Sequence, residues 1–505
     1  LALCCALIDT PRLLLLDEPT TGVDPVSRRE FWDLLAAFTA EGVTVVVATP
    51  YLDEAERCGR IAMLHEGRLR RLGSPEELKR GLGLSRLELR CGRLAAAEGL
   101  LLEASAQQGG SLGPIVDVQA FGDRLDVLVT DAGEGAAAVE RMFAEQGWES
   151  PALAPSPPTL ENVFVTRLRR EAPQPPLLPF PGGAGRTALR GEAIVARGLG
   201  KSFGSFPAVR GVDLRVGYGE IFGLLGANGA GKTTTIQMLC GLLPPSAGEV
   251  ALAGRAGDLR QPELRRRVGY MSQKFTLYDD LTIRQNLEFY AGVYELPPAL
   301  RRPRIAWVLA TCGLEGRGDL TTGALPGGWK QRVAFGAAVL HDPWVLFLDE
   351  PTSGVDPLAR RQFWKLINAF ARRGTAVLIT THYLEEAEQC HRLCFMVAGE
   401  AVVEGSPSRI RDTQRGQLIE LALPAAQLQS AAELLRRRFA PWRVSVFGDR
   451  LHLLLEDAGA ELPVLQKMLA AAAMAPLSLR SIPFSLEDAF IATVADHLGE
   501  RAEDR

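Results

Sequence analysis

An α/β fold built on mainly parallel sheets, with a smaller α+β domain after each, is the fold class this sequence predicts. Three observations predict it. A long block of sequence occurs twice, short apolar runs alternate with helix-like stretches, and both tails carry alternating strands around a Gly-Asp turn. The size agrees: 505 residues, at roughly 150 per domain, imply three or four domains. Composition is ordinary for a globular chain, 47% hydrophobic and 23% charged, which excludes extensive disorder. A formal net charge of −4 gives no general attraction to nucleic acid or anionic lipid, so no nucleic-acid partner is expected. The longest apolar runs, such as Leu1–Ile8, end after about two helical turns, far short of a membrane span. No transmembrane segment of its own and no signal peptide are expected.

The repeat sets the organisation. LLLLDEPTTGVDP (Leu13–Pro25) returns as VLFLDEPTSGVDP (Val345–Pro357), with Asp349 facing Asp17 at an offset of 332 residues. Phe31-Trp32 and Phe363-Trp364 keep that offset, as do Glu54-Ala55-Glu56 and Glu386-Ala387-Glu388. Later, FGDRL recurs from Phe121 at Phe447, and TLENVF (Thr159–Phe164) resembles SLEDAF (Ser485–Phe490), at an offset of 326. A period this long is a duplicated two-domain unit, not a solenoid. Leu1 is not an initiator Met, and the first copy opens where the second has reached Val333. Roughly 140 further residues are therefore expected upstream. The expected division is 1–72, the C-terminal part of a first α/β domain; 73–170, a small α+β domain; 171–190, a linker; 191–407, a complete second α/β domain; and 408–505, a second small domain.

Within the second copy, IFGLLG (Ile221–Gly226), VLFLDE and AVLITT (Ala376–Thr381) read as strands buried on both faces, and TTTIQMLCGLL (Thr233–Leu243) as a helix. Strand–helix alternation of this kind makes a mainly parallel sheet with helices on it. Residues 86–170 and 417–498 hold alternating strands, among them IVDVQAFGDRLDVLV, separated by Ala-rich helices; each reads as a ferredoxin-like α+β domain. EAPQPPLLPFPGGAGR (Glu171–Arg186) has no periodicity and reads as a semi-stiff linker. The eight Cys show no zinc spacing and read as buried thiols.

The chemistry concentrates in the second copy. GANGAGKTT (Gly226–Thr234) matches G-x-x-x-x-G-K-[ST] between a strand and a helix. There Gly226, Asn228, Gly229, Ala230, Gly231 and Thr234 would wrap a phosphate chain with backbone N–H groups at a helix N-terminus. Lys232 would reach the β- and γ-phosphates of ATP, and the Thr233 hydroxyl would ligate Mg²⁺. A second apolar strand ends in Asp349 and Glu350. Asp349 suits a hold on Mg²⁺, and Glu350 suits deprotonation of an attacking water.

These residues bring a resemblance into view. Residues 192–407 resemble a complete ABC-type ATPase domain, and residues 1–72 resemble the tail of another. Phe203 in KSFG resembles the aromatic that stacks on adenine, and Gln273 in GYMSQ the Q-loop glutamine that senses Mg²⁺ and the attacking water. LPGGWKQR (Leu325–Arg332), with Gly327 and Gly328, resembles the signature motif, normally LSGGQ; Asp356 falls in the D-loop, and His382 resembles the switch histidine. The tandem arrangement and the motifs EPTSGVDP, EPTTGVDP and HYLEEAE resemble the fused ATP-binding subunits of bacterial ABC-2-type exporters of the drug-resistance group. The resemblance implies an ATP-hydrolysing motor on the cytoplasmic face of the plasma membrane. Its partners would be separate polytopic permease subunits, with a periplasmic adaptor as a further candidate. Two halves would close head to tail on ATP. The resemblance also implies a degenerate first-half site, since Asp17 and Glu18 are kept while Pro50 stands where the second copy has His382, and Pro326 replaces the signature serine.

Two other readings keep a place. A soluble tandem ABC ATPase acting on ribosomes would carry a charged helical connector and NHLD where this chain has TGVD and SGVD. A tandem ATPase of a sugar importer would lack the small domains. Those domains hold no acid/base or nucleophile cluster; FGDR reads as a hairpin turn, with contact to the other half or to a permease as the functional alternative.

Overall fold

The computed structural model describes residues 11–107, 114–171, 178–182, 189–257, 259–273 and 277–503. The chain divides into two compact units: Leu1–Ala120, Arg124–Glu171 and Ser408–Arg505 form one, and Phe121–Asp123 with Ala172–Pro407 the other. The expected apolar run Leu1–Ile8, with Cys4 and Cys5, lies outside the described residues. Among the described residues no helix is long and apolar enough to cross a membrane.

The second unit is an α/β domain. Its six-stranded sheet runs Val268–Met271, Val345–Asp349, Ala376–Thr381, Ile221–Gly226, Arg392–Val397, Glu400–Gly405; the first five strands are parallel and the last antiparallel. Successive residues of a strand face opposite sides, and here both sides are covered. Leu346, Leu348, Val377 and Ile379 join a helical core with Phe335, Phe363, Trp364 and Phe370. Val345, Phe347, Ala376 and Leu378 join a second core with Phe222, Leu224 and Ile236. Unbroken apolar strands follow from that double burial. A four-stranded antiparallel sheet, led by Glu192–Phe203 and Phe206–Gly217, supplies part of the second core. The helix after Gly226 spans Lys232–Leu239, shorter than the 233–243 expected.

The Pro/Gly stretch is more than a tether at its described residues 178–182. Phe180 lies edge-on to Trp307 at 4.8 Å and to Phe370 at 5.3 Å between ring centroids. Trp307 Nε1 donates to Leu178 O at 3.0 Å, and Arg304 Nε to Pro181 O at 3.2 Å. A lone aromatic among prolines has no period to announce that it is an anchor.

The first unit holds the parallel strand pair Leu13–Asp17 and Thr44–Ala48, the helix Pro25–Ala40 capped by Asp24, and two βαββαβ domains. In the first of these, the strands lie in the order Ile115–Ala120, Leu125–Val129, Ser85–Arg90, Ala152–Ser156. In the second the order is Val444–Phe447, Arg450–Leu455, Gln417–Ala422, Ser478–Ile482. All neighbours are antiparallel, and both sheets have the ferredoxin-like order expected from the alternating tails. The repeated TLENVF and SLEDAF begin the closing helices Leu160–Glu171 and Leu486–Glu503. Asn162 N donates to Thr159 Oγ1 at 3.2 Å and Asp488 N to Ser485 Oγ at 3.1 Å, so the repeat is a pair of N-caps.

Of the described cysteines, Cys312, Cys390 and Cys394 are buried, whereas Cys58, Cys91 and Cys240 are partly exposed. The buried-thiol expectation therefore holds for three of them. Cys240 is the C-cap residue of the helix Lys232–Leu239, and Cys91 directly follows the strand Ser85–Arg90.

Glu420 ties the central strands of the last sheet together. Burial alone would raise its carboxyl, but hydrogen bonding from His452, Arg480 and Arg450 brings it well below its ordinary value. Arg450 Nη1 donates at 2.6 Å and Arg480 Nε at 2.7 Å. A depressed carboxylate stabilises the fold above its ordinary pKa and loses that contribution as pH falls through the folded value. Glu420→Gln is expected to lower the thermal midpoint by about 2–4 °C at pH 7. The gap from wild type should narrow as the pH is taken below about 4, and an unchanged gap in calorimetry would contradict the assignment.

Candidate ATP site

The site lies at the C-terminal ends of the parallel strands, the edge where open α/β sheets hold ligands. Strand Ile221–Gly226 runs into the loop Ala227–Gly231, where Gly229 and Gly231 have φ of +79° and +98°. A Cβ on Gly231 would stand 2.7 Å from Ala208 O, so glycine is required there by space as well as by backbone. Asn228 and Gly229 form the exposed crest, Ala230 is buried beneath, and the helix Lys232–Leu239 carries Thr233 and Thr234 in its first turn. Lys232 Nζ donates to Gly226 O at 2.7 Å and Ala227 O at 3.0 Å, which holds the ammonium against the loop.

Asp349 ends the buried strand Val345–Asp349, which is separated from Ile221–Gly226 by Ala376–Thr381. Thr233 Oγ1 donates to Asp349 Oδ1 at 3.3 Å, and Thr380 Oγ1 also donates to it. Burial raises the Asp349 carboxyl, the two hydroxyls oppose that, and the adjacent Glu350 adds to it. A hydroxyl and a carboxylate this close form a hard-oxygen donor pair of the kind Mg²⁺ prefers, so the residues fit the cation. Thr233 and Asp349 would hold it. Gln273 is brought instead to Glu350, leaving its amide oxygen as the atom a cation would use.

Glu350 has a close neighbour at each of its carboxylate oxygens. Its backbone sits at φ +49°, pinned by N–H donation to Thr380 O at 3.0 Å and Thr380 Oγ1 at 3.2 Å. Gln273 Nε2 donates to Oε2 at 2.9 Å, and His382 Nδ1 lies 3.0 Å from Oε1. Burial alone would raise this carboxyl; His382, Lys232 and Gln273 reverse that and hold it below its ordinary value. His382 is fully buried after strand Ala376–Thr381. Thr380, which donates to the Asp349 carboxylate and accepts from the Glu350 backbone N–H, was not singled out by sequence reasoning. Its signal was the Thr-Thr-His end of a strand, and β-branched residues are too common in strands to stand out.

The other expected residues occupy separate places in the same unit. Phe203 ends its strand 52% exposed, with Lys201 Nζ 5.4 Å from its ring centroid. Asp356 caps the helix Pro357–Arg372, its Oδ1 accepting from Ala359 N at 2.9 Å. Pro326 is the cap position immediately before the helix Gly327–Val339. A Cβ on Gly327 or Gly328 would meet no atom within 4 Å, so internal packing does not explain those glycines. In the first unit, Asp17 ends its strand, Glu18 follows at φ +44°, and Pro50 follows the strand Thr44–Ala48.

The ABC transporter family model matches residues 209–353, from before the phosphate loop to just past Glu350. A relative from Escherichia coli, the "Probable multidrug ABC transporter ATP-binding protein YbhF", is 37% identical over 431 residues, which is 81% of this chain and 69% of that one. The chain belongs to the ABC transporter ATP-binding protein family. A "Nod factor export ATP-binding protein I" from Paraburkholderia xenovorans is 37% identical over 295 residues, 58% of this chain and 93% of the relative. Among solved structures, one titled "Structure of ATP binding subunit of ABC transporter" is 28% identical, covers 44% of this chain and 92% of its own, and has a TM-score of 0.42. As an ABC transporter ATP-binding protein, the chain is an ATPase of the kind coupled to transport, and the matched residues include Lys232 and Glu350.

Proposed function

We propose that the chain is the ATP-hydrolysing subunit of an ABC-2-type exporter for drugs or other small molecules, built from two fused ATPase halves. The division at residues 72, 170, 190 and 407, the residue roles and the use of Mg²⁺ belong to this proposal. So does a seat on the cytoplasmic face of the membrane through separate permease subunits, with or without a periplasmic adaptor. The observation that carries the hydrolytic part is Glu350: a buried carboxylate kept ionised and aimed by Gln273 and His382, beside the Thr233–Asp349 pair. The loop glycines and Lys232 bind the phosphates, Phe203 offers its open face to adenine, and Glu350 takes the proton from water. Mg²⁺, when bound, supplies charge for the phosphate oxygens. Gly327 and Gly328, open on the surface, leave room for a phosphate chain held by the opposite half. The export part is supported by the names of the two relatives and by the small domains, which a sugar-importer ATPase would lack.

Lys232→Ala is expected to weaken MgATP binding roughly 10–100-fold, the worth of charge-assisted hydrogen bonds to phosphate. Calorimetric titration of the 505-residue chain should give one ATP per chain, because its sequence holds one phosphate loop. Unchanged affinity in the variant would remove the phosphate role. Copurification with polytopic permease subunits supports the exporter reading; sedimentation with ribosomes, and absence from membranes, would replace it with the ribosomal one.

A further inference from the structure

The duplicated FGDR turn does something that a hairpin turn alone need not do. In the first unit, the turn Phe447–Arg450 of the last domain sits on the segment that follows Pro50. Gly448 has φ +60°, and a Cβ there would stand 3.2 Å from Glu56 O. Phe447 stacks under the Arg57 guanidinium, 4.8 Å from its ring centroid. Arg57 Nη2 in turn donates to both carboxylate oxygens of Glu487 at 2.7 Å. Burial alone would raise the Glu487 carboxyl, and Arg57 with Arg29 brings it below its ordinary value. A second tie lies alongside: Asp33 accepts from Arg436 Nη2 at 2.7 Å and from Val446 N at 3.2 Å.

The second unit contains the other copy of this contact. The turn Phe121–Asp123 belongs to that unit. Gly122 N donates to Glu388 O at 3.0 Å, and a Cβ on Gly122 would fall 1.6 Å from Cys390 O. Gly122 and Gly448 are partners in the 326-residue repeat, while Glu388 and Glu56, like Cys390 and Cys58, are partners in the 332-residue repeat. The later copy of the turn seats on the earlier copy of the segment, and the earlier turn on the later segment. Two copies of one fit, formed by residues far apart in the chain, are not coincidental packing.

We propose that the FGDR turns are docking elements that tie each half of the chain to the other in a crossed pair, each seated on the short helix that starts two residues after position 50 or 382. The partner each turn fits is the backbone at the end of that helix, backed in one case by the Arg57–Glu487 ion pair. This inference rests on contacts alone and stands or falls independently of the transport reading.

The test is to cut the chain and ask whether it stays together. A single protease site is placed between Glu171 and Leu178, the purified chain is cleaved, and fragment association is followed by size-exclusion chromatography and a binding titration without nucleotide. The fragments are expected to co-elute. Arg57→Glu should raise their dissociation constant roughly 100-fold, the effect of stranding a buried charge. Combining it with Gly122→Leu should abolish co-elution, and adding Glu487→Arg to Arg57→Glu should recover most of the affinity. That rescue separates a docking role from loss of folding. Separation of the unaltered fragments at micromolar concentration, no change with Arg57→Glu, or no recovery in the charge-swapped pair would each overturn the proposal.

Discussion

Glu350→Gln is expected to lower ATP turnover by on the order of 10²–10⁴, the usual contribution of a positioned general base, with MgATP affinity nearly unchanged. The substitution keeps size and shape and removes the proton acceptor. Binding should survive because the phosphate loop hangs on other residues: Gly229 and Gly231 through their backbone, Lys232 through its ammonium. The Glu350 carboxyl is held below its ordinary value by His382, Lys232 and Gln273 against the opposing effect of burial. It is therefore ionised at neutral pH, and its own protonation should slow turnover only once the pH drops beneath the ordinary carboxylate range. Single-turnover hydrolysis beside a nucleotide titration checks this. A loss of binding equal to the loss of rate would make Glu350 a structural residue.

How much of this was legible in the sequence follows from where each residue's neighbours come from. Ile221–Gly226, Val345–Asp349 and Ala376–Thr381 could be read as doubly buried strands because each lies between two cores, leaving no polar alternation. The phosphate loop could be read because strand, loop and helix are contiguous, and the ferredoxin-like kind of domain because each tail carries strands around a Gly-Asp turn between Ala-rich helices. Thr380 could not be read. Its importance lies in reaching Asp349 across the sheet, and threonine at a strand end is ordinary. Phe180 was hidden in a stretch whose prolines and glycines describe a linker, though its ring meets Trp307 and Phe370. FGDR was visible as a repeat and as a turn, but what it touches lies far along the chain, and no local period encodes that.

The same comparison of copies predicts unequal halves in the intact transporter. The backbone at the two carboxylates is duplicated closely: Glu18 has φ +44° and Glu350 +49°, and Glu18 N donates to Ala48 O at 2.8 Å as Glu350 N does to Thr380 O at 3.0 Å. What differs is the chemistry around them. At the 332-residue offset Thr380 becomes Ala48 and His382 becomes Pro50. The first half thus lacks the hydroxyl that holds Asp349 and the imidazole that lies 3.0 Å from Glu350. Proline offers neither a side-chain donor nor a backbone N–H to replace them. A carboxylate on the right backbone without its aiming partners binds as before but is a poor base, since general-base catalysis depends on position before it depends on pKa. Glu18→Gln is therefore expected to leave steady-state ATPase activity within about threefold of the parent, under about 1 kcal/mol in barrier, where Glu350→Gln costs on the order of 10²–10⁴. His382→Pro, which gives the second half the first half's residue, should fall toward the Glu350→Gln level with binding kept. Equal losses from Glu18→Gln and Glu350→Gln would mean that both halves hydrolyse and that Ala48 and Pro50 are tolerated variants.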